Sequence, residues 1–280
     1  LPDLAIGRLP IENGNEVENM VHKIIRYDRD PEPGNWRSRV IYLANHHESN
    51  FIQPSNQLAE RYTDLLGLEA LKIFNPDEAP SPNPTGLAFV EAFNEGALLI
   101  NYNGHGSPGS MAGIFGIDVP EWGYLDQLDN ARRLPLVLAF SCLNSLFVNP
   151  KVESLGEVLT TQEDGVIAYI SATAKSYVAQ NNLLGDRLFN QLFSAGNLEF
   201  GPALDVAKTQ VLAAHYSYDA AALTMQLFGD PAQKLALPQS ADYVPLSLEI
   251  TPQQVIGHST PNIQAILRNN SRTTPESLAV

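Results

Sequence analysis

Cysteine is nearly absent: Cys142 is the only one in 280 residues. A single thiol excludes any disulfide within the chain and any metal site built from cysteines. Positive charge is scarce as well. Seventeen Lys and Arg against 31 Asp and Glu leave a formal charge of −14. An acidic surface lacks the basic patch that nucleic acid or an anionic membrane requires, so neither is expected as a partner. No apolar run approaches the roughly 18 residues of a membrane-spanning helix, so membrane insertion is not expected either. The opening stretch LPDLAIGRLP has no initiator Met and no signal-peptide pattern, and reads as an internal piece of something longer.

What the chain does have is a core. Hydrophobic residues make up 44%, enough for one large domain and part of another. Short apolar runs alternate with helical patterns. Strands are expected at 4–9, 39–44 (RVIYLA), 71–74, 97–102 (ALLINY), 134–142 (LPLVLAFSC) and 165–171 (GVIAYIS). Helices are expected from about 17, with Val17, Met20, Val21 and Ile24 on one face, and then at 57–66, 85–94, 154–161, 183–196 and 201–216. The run 134–142 does not alternate, so it should be buried on both sides, as central parallel strands are. Strand–helix alternation predicts an α/β fold with a mainly parallel sheet. From about Val244 the pattern turns to short alternating strands, the start of an all-β unit. The expected division is 1–240 and 241–280, with the break near 238–244.

Sites in parallel sheets form beyond the carboxyl ends of the strands. Two reactive residues stand at such ends. His105 lies between Gly104 and Gly106, just after the strand 97–102, and Cys142 closes the strand 134–142. If these strands are neighbours, imidazole and thiol share one rim. A thiol needs a base or a positive neighbour to become a nucleophile near neutral pH. The amides of Gly106 and Cys142 could then face a developing oxyanion. The bland alternative is a core cysteine and a histidine in an ordinary turn, and position alone leaves both open.

The segments DLAIGRLP, LLINYNGHGS, LVLAFSCLNSLF, SLGEVL, GVIAYISATAKSYV and LFGDP resemble, in order and spacing over about residues 3–237, the C25 cysteine peptidases. This is the gingipain family of the caspase-like clan. The resemblance implies a caspase-like, mainly parallel sheet with helices on both faces, followed by the beginning of an immunoglobulin-like β domain. It implies a cysteine endopeptidase with a Cys142–His105 dyad and an oxyanion site at the Gly106 and Cys142 amides. Protein or peptide substrates and a secreted or cell-surface location follow from it, and no organic cofactor. Calcium occurs in such proteins, but no ligand set can be named here. The family's histidine is oriented by an acidic residue in a loop that here reads NHHESN. Glu48 is the only carboxylate in that loop, and Asn45, His46 and His47 compete for the position. A zinc site from His46 and His47 lacks a third ligand. The family's N-terminal subdomain, which precedes the IGR segment, is expected to be missing.

For the substrate pocket, the segment 171–178 leaves the next strand end, so Ser171, Ala172, Thr173 and Tyr177 are the expected wall, with Trp122 as a second surface. Arginine-specific relatives use an aspartate in the stretch that here reads SNFIQPSN, which holds no carboxylate. An uncharged residue is therefore expected before the scissile bond, with Asp118, Glu121 and Glu153 as the remaining acids that could reach the rim. Two other readings stand beside the endopeptidase: a processing peptidase or transpeptidase of the same family, and a catalytically idle domain used for binding.

Overall fold

The computed structural model describes residues 4–45, 49–75, 83–117, 125–149, 151–196, 199–214, 219–237, 243–251 and 262–269. Six strands form the main sheet: β1 (Arg39–Asn45), β2 (Glu69–Asn75), β3 (Leu99–Asn103), β6 (Leu136–Phe140), β7 (Ala168–Ala172) and β8 (Met225–Phe228). Their order across the sheet is β2-β1-β3-β6-β7-β8. All neighbours run parallel except β7 and β8.

The pleat explains the layering. Val40 and Tyr42 of β1 enter one apolar cluster, while Ile41 and Leu43 enter the other. Helices α2 (Ser49–Leu58), α5 (Val178–Phe189) and α6 (Phe200–Ala214) cover the first face, and α3 (Pro84–Glu95) and α4 (Leu155–Thr161) cover the second. Every residue of β6 is buried. Each Leu-sized side chain there contributes about 1.5–3 kcal/mol, which fixes β6 at the centre. Both helices of the second face are capped at their starts. Asn83 caps α3 ahead of Pro84, and Ser154 forms a capping box with Glu157 on α4.

After β1 the chain moves outward to β2, then returns to the far side of β1 as β3. Beyond that reversal, the carboxyl ends of β1, β3 and β6 open onto one rim. The short hairpin β4–β5 (Ser110–Met111 and Phe115–Gly116) follows β3 on that side.

Four elements differ from the sequence expectation. The stretch 4–9 makes a single parallel bridge, Arg8 with Phe228, rather than a strand. Helix α1 (Gly14–Arg29) buries Met20, Lys23 and Tyr27 and leaves Val17 and Val21 exposed. Lys23 turns inward because its amine donates to Thr160 O at 2.5 Å and Gln162 O at 2.8 Å, the open carbonyls at the end of α4. Helix α2 starts at Ser49, eight residues before the expected 57, and runs through Pro54. Proline cannot donate to the carbonyl four residues back, here Asn50 O, and Asn182 of α5 donates to that oxygen instead at 3.3 Å. The edge strand β8 follows helix α7 (Asp219–Thr224) without a turn residue, so no boundary signal marks it.

Strands β9 (Tyr243–Thr251) and β10 (Asn262–Asn269) pair antiparallel, with a register shift between Ile266 and Leu267. Of the expected break at 238–244, residues 238–242 lie outside the described residues, and 243–244 already belong to β9.

Candidate active site

Strand β3 delivers the histidine. After Asn103 the chain turns through Gly104, where an added Cβ would lie within 2.4–2.9 Å of the Tyr102 phenol. Only glycine lets the loop fold over that ring. The Tyr102 hydroxyl then donates to His105 O at 2.5 Å. Complete burial pushes the Tyr102 phenol well up, so it stays a neutral donor. His105 itself is exposed. The ring of Phe51, from α2, meets its imidazole edge-on, with centroids 5.2 Å apart and planes at 83°.

Strand β6 delivers the thiol. Asn103 of β3 pairs with Phe140 of β6, so the two loops leave the sheet side by side. Ser141 and Cys142 follow, and Leu143 turns sharply with φ of +65°. A left-handed leucine costs about 1–3 kcal/mol and persists only where neighbours enforce it. Here the Leu143 amide bonds Ala174 O at 3.2 Å and the Ser145 amide bonds Ala172 O at 3.2 Å. The turn leaves the Cys142 side chain half-buried at the rim.

The two loops are joined by contact and by hydrogen bonds. Gly106 packs on Cys142: a Cβ at position 106 would stand 2.6 Å from Cys142 O and 2.9 Å from Ser141 Oγ. Asn144, fully buried, donates from Nδ2 to Ser107 O at 2.6 Å and Ser110 O at 2.9 Å. Its Oδ1 accepts from Ser141 Oγ at 2.6 Å. Helix α4 closes the ring, with the Leu155 amide on Pro108 O and the Gly156 amide on Asn144 O. Among the described residues the amides of Gly106 and Cys142 donate to no protein acceptor. Two donors are thus open at a rim that also carries an imidazole and a thiol, the set that acyl transfer uses.

Of the residues expected from sequence, Gly106 packs directly on Cys142, and His105 precedes Gly106 in the loop that follows β3. Glu48 and Trp122 lie outside the described residues, as do His46, His47, Asp118 and Glu121. Asn45, at the end of β1, accepts from Asn75 Nδ2 at 3.4 Å. The pocket wall needs correction. Ser171 and Ala172 are fully buried within β7, where central-strand side chains enter the core and cannot meet a substrate. Thr173 spends both its amide and its hydroxyl on Thr224 O. Tyr177 is 62% exposed and caps α5 directly beside the residue that touches the cysteine. That residue, Ser176, is one the sequence did not single out. Its amide donates to Cys142 Sγ at 3.4 Å and its carbonyl accepts from the thiol at 3.5 Å. Phe51 and Asn181 are further contacts that no sequence expectation names. The one available signal was the cluster of small polar residues at two strand ends, SCLNS and KSY. Glu153 sits among Glu12, Glu16 and Glu157, whose charges, after partial burial, hold its carboxyl above the ordinary range. Among the described residues no three His, Cys, Asp or Glu side chains gather to hold a metal ion. No helix among them is long and apolar enough to cross a membrane.

The family model for peptidase family C25 matches residues 1–236. The chain belongs to this family. Gingipain R2 and Gingipain R1 of Porphyromonas gingivalis are each 25% identical to it over 185 residues, or 61% of this chain. Those alignments cover 24% and 18% of the two relatives, so the chain spans about a quarter or less of their length. The crystal structure of the Arg specific cysteine proteinase gingipain R superposes with a TM-score of 0.72 at 22% identity, covering 88% of this chain and 58% of that one. The Saccharomyces cerevisiae separase–securin complex matches at 0.50 and 12% identity, over 82% and 14% of the two chains. These likenesses establish the gingipain-like, caspase-like fold of the C25 member described here.

Proposed function

We propose that this C25 chain carries the catalytic centre of a cysteine endopeptidase, with Cys142 as nucleophile and His105 as its acid–base partner. The observation that supports the reading is the packing of Gly106, next to His105, on the Cys142 carbonyl, beside two amides that donate to no acceptor among the described residues.

The chemistry follows from those groups. The Cys142 proton passes to the His105 imidazole as Sγ bonds to the scissile carbonyl carbon. The carbonyl oxygen takes up the negative charge and receives hydrogen bonds from the Gly106 and Cys142 amides. One such donor typically lowers the barrier by about 3–4 kcal/mol. When the oxyanion collapses, the C–N bond breaks and the imidazolium gives its proton to the leaving amine. Water then adds to the thioester, its proton returns to His105, and the acid leaves with the Cys142 thiol restored.

Glu48 is proposed, by family position, to orient His105. Substrates are proteins or peptides, and a secreted or cell-surface location is proposed from the family. The residue before the scissile bond is proposed to be uncharged. A buried cationic side chain needs a carboxylate partner, and the stretch 49–59 has none.

Cleavage of a randomised peptide library by the wild-type protein and C142A tests the reading. Cleavage confined to the wild type, after uncharged residues, is the expected result. Equal cleavage by C142A sinks the nucleophile. Dominant cleavage after Arg or Lys sinks the specificity. Folded protein that cleaves nothing and resists peptidyl thiol inhibitors is the idle binding domain.

A further inference from the structure

We infer that Ser176, held in place by Asn181, is a positioning residue for the sulfur of Cys142, an inference that rests on Cys142 being the nucleophile. Three atoms of Ser176 face that sulfur or its backbone. The amide N–H donates to Sγ at 3.4 Å, the carbonyl accepts from the thiol at 3.5 Å, and the hydroxyl oxygen stands 3.9 Å from Sγ. The hydroxyl donates to Ser141 O at 3.0 Å. Asn181, buried in the first turn of α5, donates from Nδ2 to Ser176 Oγ at 2.9 Å.

The hydrogen-bond inventory of a hydroxyl turns this cluster into a device. Serine has one proton and two lone pairs. The Asn181 amide fills a lone pair, so the Ser176 proton must point outward, to Ser141 O or to Cys142 Sγ. While Cys142 holds its proton, the thiol donates to Ser176 O and the hydroxyl serves Ser141 O. Once that proton has moved to His105, the sulfur can only accept. The Ser176 hydroxyl then rotates about its Cβ–Oγ bond and joins the amide as a second donor to the thiolate. Ser176 keeps its own proton throughout. Hydrogen bonds to an ion are roughly twice as strong as neutral ones, so the arrangement favours the reactive form and fixes its direction of attack. The hydroxyl acts on the sulfur rather than on bound peptide, so the effect belongs in kcat.

Because Cys142 is the sole cysteine, alkylation of the intact protein by iodoacetamide, followed by mass, reads this sulfur alone. The rate is measured without substrate for the wild type, S176A, S176T and N181A, alongside kcat, KM and the thermal midpoint. In S176A, alkylation and kcat fall about tenfold while KM stays within about twofold. S176T, which keeps the hydroxyl, recovers most of the loss, and N181A falls between S176A and wild type. Folded S176A that alkylates at the wild-type rate overturns the inference. So does S176T as impaired as S176A, because that result means shape and not hydrogen bonding. If S176A does not fold, N181A decides by the same rates. Turnover by C142A would instead overturn the nucleophile assignment, whereas the alkylation ratio is read on the sulfur without reference to turnover.

Discussion

Gly106 and Cys142 touch through backbone atoms: the place a Gly106 side chain would occupy is 2.6 Å from Cys142 O. Real Cβ atoms do not come so close, so any side chain at 106 pushes the histidine loop away from the cysteine. A displacement near 1 Å in a catalytic constellation costs about 100-fold in rate. G106A is therefore expected to lower kcat/KM by about two orders of magnitude. The sheet below is untouched, and the thermal midpoint should move by only a few degrees. Steady-state kinetics and a melting curve on the same sample check both halves. Near-wild-type turnover would mean the loops are not coupled through this contact.

His105 is exposed and anchored through its backbone carbonyl and the Phe51 ring. H105A should leave the Tyr102-to-carbonyl bond intact and keep the fold. Loss of the acid–base group should reduce kcat by at least about 1,000-fold, in the manner of a triad member. Burst-phase kinetics with an activated ester would show slowed acylation. A fall of less than about tenfold would remove His105 from the chemistry.

Asn144 ties the loops together with three side-chain hydrogen bonds in a dry environment. N144A removes one donor from the Ser107 and Ser110 carbonyls, the latter keeping the Ser107 amide, and leaves the buried Ser141 hydroxyl without its acceptor. Each buried group left unpaired costs about 1–3 kcal/mol, part of which water entry recovers. Urea denaturation should show a loss of about 2–4 kcal/mol, and kcat should fall while the remaining molecules stay folded. Unchanged stability would show that the ring of bonds is not what holds the two loops together.

Lys23 gives the fold a pH dependence. Burial pushes its amine from 10.5 down to about 7, while Glu163 and Asp164 pull the other way. In the unfolded chain the amine keeps its ordinary value, so between pH 7 and 10.5 the unfolded state binds more protons. Stability therefore gains from this group as pH rises through that window, and below it the burial cost of the charge is present in full. K23M removes the titration. The difference in unfolding free energy between K23M and wild type should shift in favour of wild type from pH 7 to pH 9. A difference that stays flat over that range would mean the ammonium is fully compensated by the two α4 carbonyls.

Much of this was legible in the residues. The runs 97–102 and 134–142 hold the strands β3 and β6, buried on both faces, because apolar side chains fill them almost throughout, Asn101 and Ser141 being the polar exceptions, and the pleat has only two sides on which to place them. Short connections and strand–helix alternation then leave a parallel sheet as the economical packing, with His105 and Cys142 at its carboxyl edge. The helices expected at 85–94 and 154–161 also form, as α3 and α4. The periodicity failed where a polar group had a distant partner. Lys23 turns inward for α4, Pro54 sits inside a helix because Asn182 serves its orphan carbonyl, and the Asn181 and Gln180 positions hid the first turn of α5. The ring around Asn144 and the Ser176 contact to the sulfur were invisible for the same reason. Their partners are mostly backbone carbonyls and amides, which every residue carries, so no residue type announces them. Apolar patterning determines which segments are buried, since burial depends on side-chain chemistry alone. Which polar atom meets which carbonyl depends on where the folded backbone passes, and only the tertiary structure places Ser176 on the Cys142 sulfur and Asn144 and Gly106 on the loop that carries it.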